Sequence, residues 1–141
     1  MNQLEKTFQR FQSADRQTRL ELLLDLSKRL PPLPERYHAA RDQGLNRVPE
    51  CQSAVFLWTE LDDGRVRLHA DAPPEAPTVR GFVALLGRAV DGATPEEVAG
   101  IPGDLLDQLG LSETLGMTRM QGLTAILQRV KQQAKGLREK D

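Results

Sequence analysis

The sequence predicts a mixed α/β chain of the α+β kind, with helices before and after a small antiparallel sheet. Three observations carry this. Leu4, Phe8 and Phe11 recur at helical spacing near the start, and Leu123, Ile126, Leu127 and Val130 do so near the end. Between them, Ala54 to Leu61 and Arg65 to Ala70 flank Asp62-Asp63-Gly64, a β-hairpin by its turn chemistry and its period of two. The chain has 141 residues, the size of one ordinary domain, so residues 1–141 are read as a single unit. A domain of that size buries roughly two thirds of its unfolded surface without disulfide staples.

The first helix is expected to end near Gln12 to Ala14, with Ser13 or Asp15 capping a second. In that second helix Leu20, Leu23, Leu24 and Leu30 form one apolar stripe, Leu22 and Leu26 widen it, and Pro31-Pro32 stops it. Pro34 to Gly44 has room for one or two helical turns before an exposed loop. A two-stranded hairpin is marginal by itself, so Asn46 to Val48 is the candidate third strand. Phe56, Leu57 and Trp58 are expected in the sheet core.

A proline-rich link, Ala72 to Pro77, leads to a helix over Thr78 to Val90 with Val79, Phe82, Val83, Leu86 and Val90 on one side. Gly81 and Gly87 weaken that helix, which suggests close packing against the sheet. Thr94-Pro95-Glu96-Glu97 combines a capping threonine, proline at the first helical position and glutamate at the third, a strong start signal. Short helices are expected over Pro95 to Ala99 and Asp104 to Gln108. A long last helix runs from about Thr118 to Leu137.

Nineteen basic residues against 20 acidic ones leave a net charge of -1. No global pull toward nucleic acid or an anionic membrane follows from that balance. Arg129, Lys131, Lys135, Arg138 and Lys140 make the C-terminal stretch basic. Without aromatic residues to stack on bases, it reads as a solvated helix face whose cations complement the helix dipole. The first residues lack the apolar core of a signal peptide, and the Leu20 to Leu26 run is interrupted by Glu21 and Asp25. The expected partners are therefore neither nucleic acid nor membrane.

Cys51 is the single cysteine. It cannot form an internal disulfide or belong to a cysteine-rich metal site, which fits a reducing, cytoplasmic setting. A thiol used as a small hydrophobe can lie anywhere in a core. At the junction of the Pro49 turn and a β-forming run, it can instead be presented to a partner. His38 and His69 have no metal-ligand spacing, and neither sits in a nucleophile motif that would support a Cys-His hydrolase. The glycines form no phosphate-binding loop, so nucleotide binding has no positive support, and with no ligand spacing at the histidines or cysteine no metal and no cofactor is expected.

The run Val48-Pro49-Glu50-Cys51-Gln52-Ser53-Ala54-Val55-Phe56-Leu57 resembles the cysteine loop of the SufE family of sulfur acceptors, where Val-Pro-Gly-Cys-Gln-Ser leads into an apolar strand. Val79-Arg80-Gly81-Phe82 is similar to that family's Val-Lys-Gly-Leu helix start, and Thr94-Pro95-Glu96-Glu97-Val98 to its Thr-Pro cap. Thr118-Arg119-Met120-Gln121-Gly122-Leu123 is similar to its Ser-Arg-x-x-Gly-Leu segment. These blocks stand in family order and cover nearly the whole chain. The chain departs from the pattern at Glu50, which stands in place of glycine and puts a negative charge beside the thiol. Phe56 stands where tryptophan is common, and Pro73-Pro74 lengthen the link after the hairpin.

The resemblance implies a compact α/β domain with a small three-stranded antiparallel sheet flanked by helices, similar to NifU-like scaffolds. It lacks the extra cysteines needed to hold a cluster. It further implies that Cys51 takes sulfur from the persulfide of a SufS-type cysteine desulfurase, stimulates that enzyme, and relays the sulfur to a SufB-type iron-sulfur cluster scaffold. Pyridoxal phosphate would belong to the desulfurase, and no independent turnover is expected of this chain. Arg119 is the candidate to steer the partner or hold an anionic sulfur, with a salt bridge between helices as the plainer role. Glu50, Gln52, Ser53 and Glu75 are candidates for the partner surface, and Gln52 and Ser53 serve equally well as loop caps. The alternative is a regulatory binding partner of a desulfurase in which Cys51 carries nothing.

Overall fold

Asn2 and Asp15 each accept a hydrogen bond from the backbone N–H three residues on, both at 2.8 Å, and so start the two N-terminal helices. These are α1 (Gln3–Gln12) and α2 (Arg16–Ser27). The structure, a computed structural model, describes residues 2–140 and the side chains of residues 2–137. A 3₁₀ turn (Glu35–Tyr37) runs into α3 (His38–Asp42), followed by strands β1 (Phe56–Asp62) and β2 (Arg65–Asp71). Helices α4 (Pro77–Val90), α5 (Pro95–Ala99), α6 (Leu105–Gln108), α7 (Leu111–Thr114) and α8 (Met117–Lys140) complete the order. Helix α7 has no counterpart in the sequence reading. The side chains of Arg138 and Lys140, counted above in the basic C-terminal face, lie outside the described residues.

The hairpin closes as its turn residues require. Asp63 and Gly64 have φ of 54° and 76°, the left-handed pair of a two-residue type I′ turn. Its register pairs Leu57 with Ala70, Thr59 with Leu68 and Leu61 with Val66 on the inner face. Trp58 with His69 and Glu60 with Arg67 lie on the outer face. Leu57 and Val66 are fully buried, as are Phe82 and Leu86 of α4 and Leu123, Ile126 and Leu127 of α8. The core thus lies between the inner face of the hairpin and these two helices.

Four expectations are corrected. The sheet has two strands. Asn46 to Val48 contributes only an isolated bridge from Arg47 to Phe56, because Asn46 sits at φ 63° and Pro49 has no N–H to extend a ladder. Trp58 lies on the outer face, not in the core, and stacks on Tyr37 at 4.6 Å. Leu24 is exposed, and α2 ends at Ser27, before Leu30. Gly81 does serve close packing, but against α2: a Cβ there would run into the Leu23 carbonyl, while one on Gly87 would meet nothing.

The Thr94 start signal holds in full. Thr94 Oγ1 accepts from the Glu97 N–H at 3.1 Å, and the Glu97 carboxylate accepts from the Thr94 N–H at 3.0 Å. That backbone bond is the main reason the Glu97 carboxyl lies below its ordinary range. Among the described residues, no helix is long and apolar enough to cross a membrane.

Candidate functional site

The loop between α3 and β1 is pinned at its base and loose at its tip. At the base, Val48 N–H donates to the Val55 carbonyl at 2.9 Å and Leu57 N–H to the Asn46 carbonyl at 3.1 Å. The Asn46 side chain and Gln133 of α8 donate to the Leu57 carbonyl at 2.9 and 3.0 Å. Toward the tip, Cys51 N–H reaches the Val48 carbonyl at 3.2 Å and Val55 N–H the Ser53 carbonyl at 2.9 Å. Pro49, Glu50 and Gln52 are exposed, Ser53 and Ala54 half-buried. Cys51 alone among residues 49–54 is buried, at 4% exposure.

The thiol rests on the first turns of α8. A Cβ added to Gly122 would lie 3.2 Å from Cys51 Sγ and 3.6 Å from its Cα, so only glycine lets the loop approach this closely. Beside the thiol opens a cleft of about 470 Å³, lined by Gln52, Ser53, Val79, Thr118, Arg119 and Gly122 along with Cys51 itself. Arg119 is exposed and makes no ion pair among the described residues. The interhelical salt bridge proposed for it is absent there. Thr118 and Arg119 stand in the first turn of α8, where unpaired N–H groups and the positive end of the helix dipole favour an anion. The cleft therefore brings the thiol beside Arg119 and the N-terminal turn of α8.

The structure gathers Cys51, Gln52, Ser53 and Arg119 at one opening. Glu50 faces away from it, into a neighbouring depression with Met117, Met120, Gln121, Thr124 and Ala125, where Met117 is 80% exposed. Its carboxylate thus borders the thiol loop without lining the thiol's cleft. Glu75 is exposed on the link between β2 and α4 and does not line the cleft either. The two histidines are engaged elsewhere: His38 Nε2 bonds the Leu33 carbonyl at 2.9 Å, and His69 Nε2 bonds Glu60 at 2.9 Å. Among the described residues, neither histidine lines the Cys51 cleft as a Cys-His hydrolase would require, and no metal-binding group of side chains occurs.

Sequence reasoning missed Gly122 and Val79 as site residues. Their signal was present in the motif blocks, whose individual members now have physical roles. In Val79-Arg80-Gly81-Phe82, Val79 lines the cleft, Arg80 donates to the Ser27 carbonyl at 2.8 Å and to the Ala72 carbonyl, Gly81 admits α2, and Phe82 fills the core. In Thr118 to Leu123, Thr118, Arg119 and Gly122 form the cleft while Leu123 anchors α8 in the core.

A family model described as "SufE: Fe-S metabolism associated domain" matches residues 3–134. The chain is 39% identical over 132 residues to an uncharacterised SufE-like protein of Mycobacterium tuberculosis, covering 93% of this chain and 88% of that one. It is 36% identical over 106 residues to the sulfur acceptor protein CsdE of Escherichia coli K12, covering 74% and 68%. The solution structure of a hypothetical protein from Thermus thermophilus superposes with a TM-score of 0.83 at 32% identity, over 97% of this chain and 96% of that one. With the cysteine loop, the α4 start and the α8 start all in place, the chain belongs to the SufE family.

Proposed function

We propose that this protein is a cytoplasmic sulfur acceptor that takes sulfur from a SufS-type cysteine desulfurase onto Cys51. The observation that carries the proposal is the meeting of the sole thiol, Arg119, which makes no ion pair among the described residues, and a helix N-terminus in one cleft. Family membership and the likeness to a named sulfur acceptor support it.

In the reaction, the Cys51 thiolate attacks the outer sulfur of the desulfurase persulfide. A new S–S bond forms at Cys51, the S–S bond on the enzyme breaks, and the enzyme's cysteine leaves as thiolate with the electron pair. No oxidant is needed, since the sulfane sulfur moves between thiols. Arg119 and the α8 N-terminus hold the anionic product, and the missing second cysteine leaves the persulfide nothing in its own chain to condense with. A second exchange of the same kind passes the sulfur to a SufB-type cluster scaffold. Glu50, Gln52, Ser53 and Glu75, on the exposed rim and the adjoining link, contact the desulfurase. Pyridoxal phosphate resides in that enzyme, and this chain requires no cofactor.

Because Cys51 is 4% exposed at rest, attack requires the loop to lift on docking. The same burial is compatible with a regulator that docks without accepting sulfur. Intact-mass measurement after incubation with a purified SufS-type desulfurase and cysteine, without strong reductant, separates the two. The carrier gains one sulfur atom that is absent in Cys51→Ser. Equal stimulation of the desulfurase by both proteins with no mass gain in either would leave the regulator.

A further inference from the structure

The tip of the thiol loop is held down by the atom that reacts. Of residues 49–54 only Cys51 is buried, and no hydrogen bond joins these residues to α8 among the described residues. What the thiol is pressed against is the bare backbone of Gly122, where a Cβ would stand 3.2 Å from Sγ. That is closer than carbon and sulfur normally pack, whereas the distances to Cys51 Cα and Cβ, 3.6 and 3.7 Å, are ordinary contacts. The fit is therefore set by the sulfur atom alone.

We propose that Gly122 is a latch seat: its missing side chain sets the balance between the shielded and lifted states of the Cys51 loop. The proposal rests on Cys51 being the working thiol and identifies Gly122 as a positioning residue for it. Its direction follows from which side of the contact yields. Helix α8 is fixed by fully buried Leu123, Ile126, Leu127 and Val130, and cannot retreat without opening the core. The loop tip has one buried side chain and few bonds, so a methyl group on residue 122 moves the loop, not the helix. Gly122 also lies inside a helix, where glycine is less favourable than alanine.

Two measurements on the purified protein, with no desulfurase present, test this. Iodoacetamide labels Cys51 in Gly122→Ala about tenfold faster than in the native chain, a factor that falls within the usual cost of overpacking. Urea unfolding then separates a latch from general misfit. In the native background Gly122→Ala lowers the unfolding midpoint; in a Cys51→Ala background, where the sulfur is gone, the same change raises it through helix propensity. Should Gly122→Ala fail to fold while the double variant folds, the latch is supported by the same logic. Unchanged labelling, a lowered midpoint in both backgrounds, or failure of both variants to fold would overturn it. Sulfur loading of the native chain plays no part in these readouts, so the latch and the carrier reading fail separately.

Discussion

The outer face of the hairpin and the Cys51 loop are neighbours in sequence and opposites in construction. On the hairpin, one carboxylate gathers three partners. Glu60 accepts two bonds from Arg36, at 2.7 and 2.9 Å, one from the Tyr37 hydroxyl and one from His69 Nε2 at 2.9 Å. Tyr37 stacks on Trp58, and Arg36 lies over the Tyr37 ring at 4.8 Å. The loop a few residues away is anchored at its tip by a single thiol. Polar bonds hold the hairpin face in place, whereas the loop tip has Cys51 as its one buried side chain. A fixed base and a lightly held tip suit the proposed task of shielding a sulfur and then delivering it.

The contrast predicts unequal costs. The largest comes from the base: Leu57→Ala removes a fully buried side chain and is expected to lower unfolding free energy by about 2–5 kcal/mol in urea titration. Glu60→Gln comes next. The Arg36 bond, chiefly, with help from Tyr37 and the nearby His69, holds the Glu60 carboxyl down at about 2, from an ordinary value of 4.5. A carboxyl whose folded pKa is depressed contributes its stabilisation in full above the unfolded value and loses it as pH falls through the folded one. Here the window runs from about 4.5 down to about 2. Arg36 is 57% exposed, so solvent screening reduces the contribution to roughly 1–2 kcal/mol. Unfolding free energy at neutral pH should fall by that amount in Glu60→Gln, and the difference between the two proteins should shrink as the pH approaches 2.

At the tip, effects on stability should be small and effects on reaction large. Arg119→Gln is expected to change unfolding free energy by less than about 0.5 kcal/mol. It should slow sulfur uptake from the desulfurase severalfold, more so at low salt. Glu50→Gln, facing the adjoining depression, should have the smallest effect, leaving stability unchanged and altering only desulfurase affinity, as read by titration calorimetry. A loss of stability in Arg119→Gln as large as that in Glu60→Gln would erase the distinction between base and tip.

What was legible in the sequence was local. The Thr94 capping box, the Asp63-Gly64 turn and the amphipathic stripe of Leu4, Phe8 and Phe11 each specify a conformation within a few residues, and each formed as read. The thiol loop was legible for a similar reason, since a proline turn running into a β-forming segment is a short-range signal. What failed depended on partners far along the chain. Nothing near Glu60 announces Arg36 and Tyr37, 24 and 23 residues away, so Trp58 was read as core. Gly81 signalled close approach, but the spacing could not say that α2 would make it. The third strand looked reasonable from composition, and was prevented by the backbone of Asn46 and the missing donor of Pro49. Gly122 lay in plain view in its motif and acquired a role only when Cys51 was found resting on it.

The central claim is that sulfur travels on Cys51. Its most direct test supplies a SufS-type desulfurase with radiolabelled cysteine, adds this protein under non-reducing conditions, and maps the label by peptide analysis. The account predicts label on the peptide containing Cys51, released by reductant and absent from Cys51→Ser, which still binds the enzyme. Desulfurase turnover stimulated equally by the native chain and by Cys51→Ser, with no label on that peptide, would contradict it.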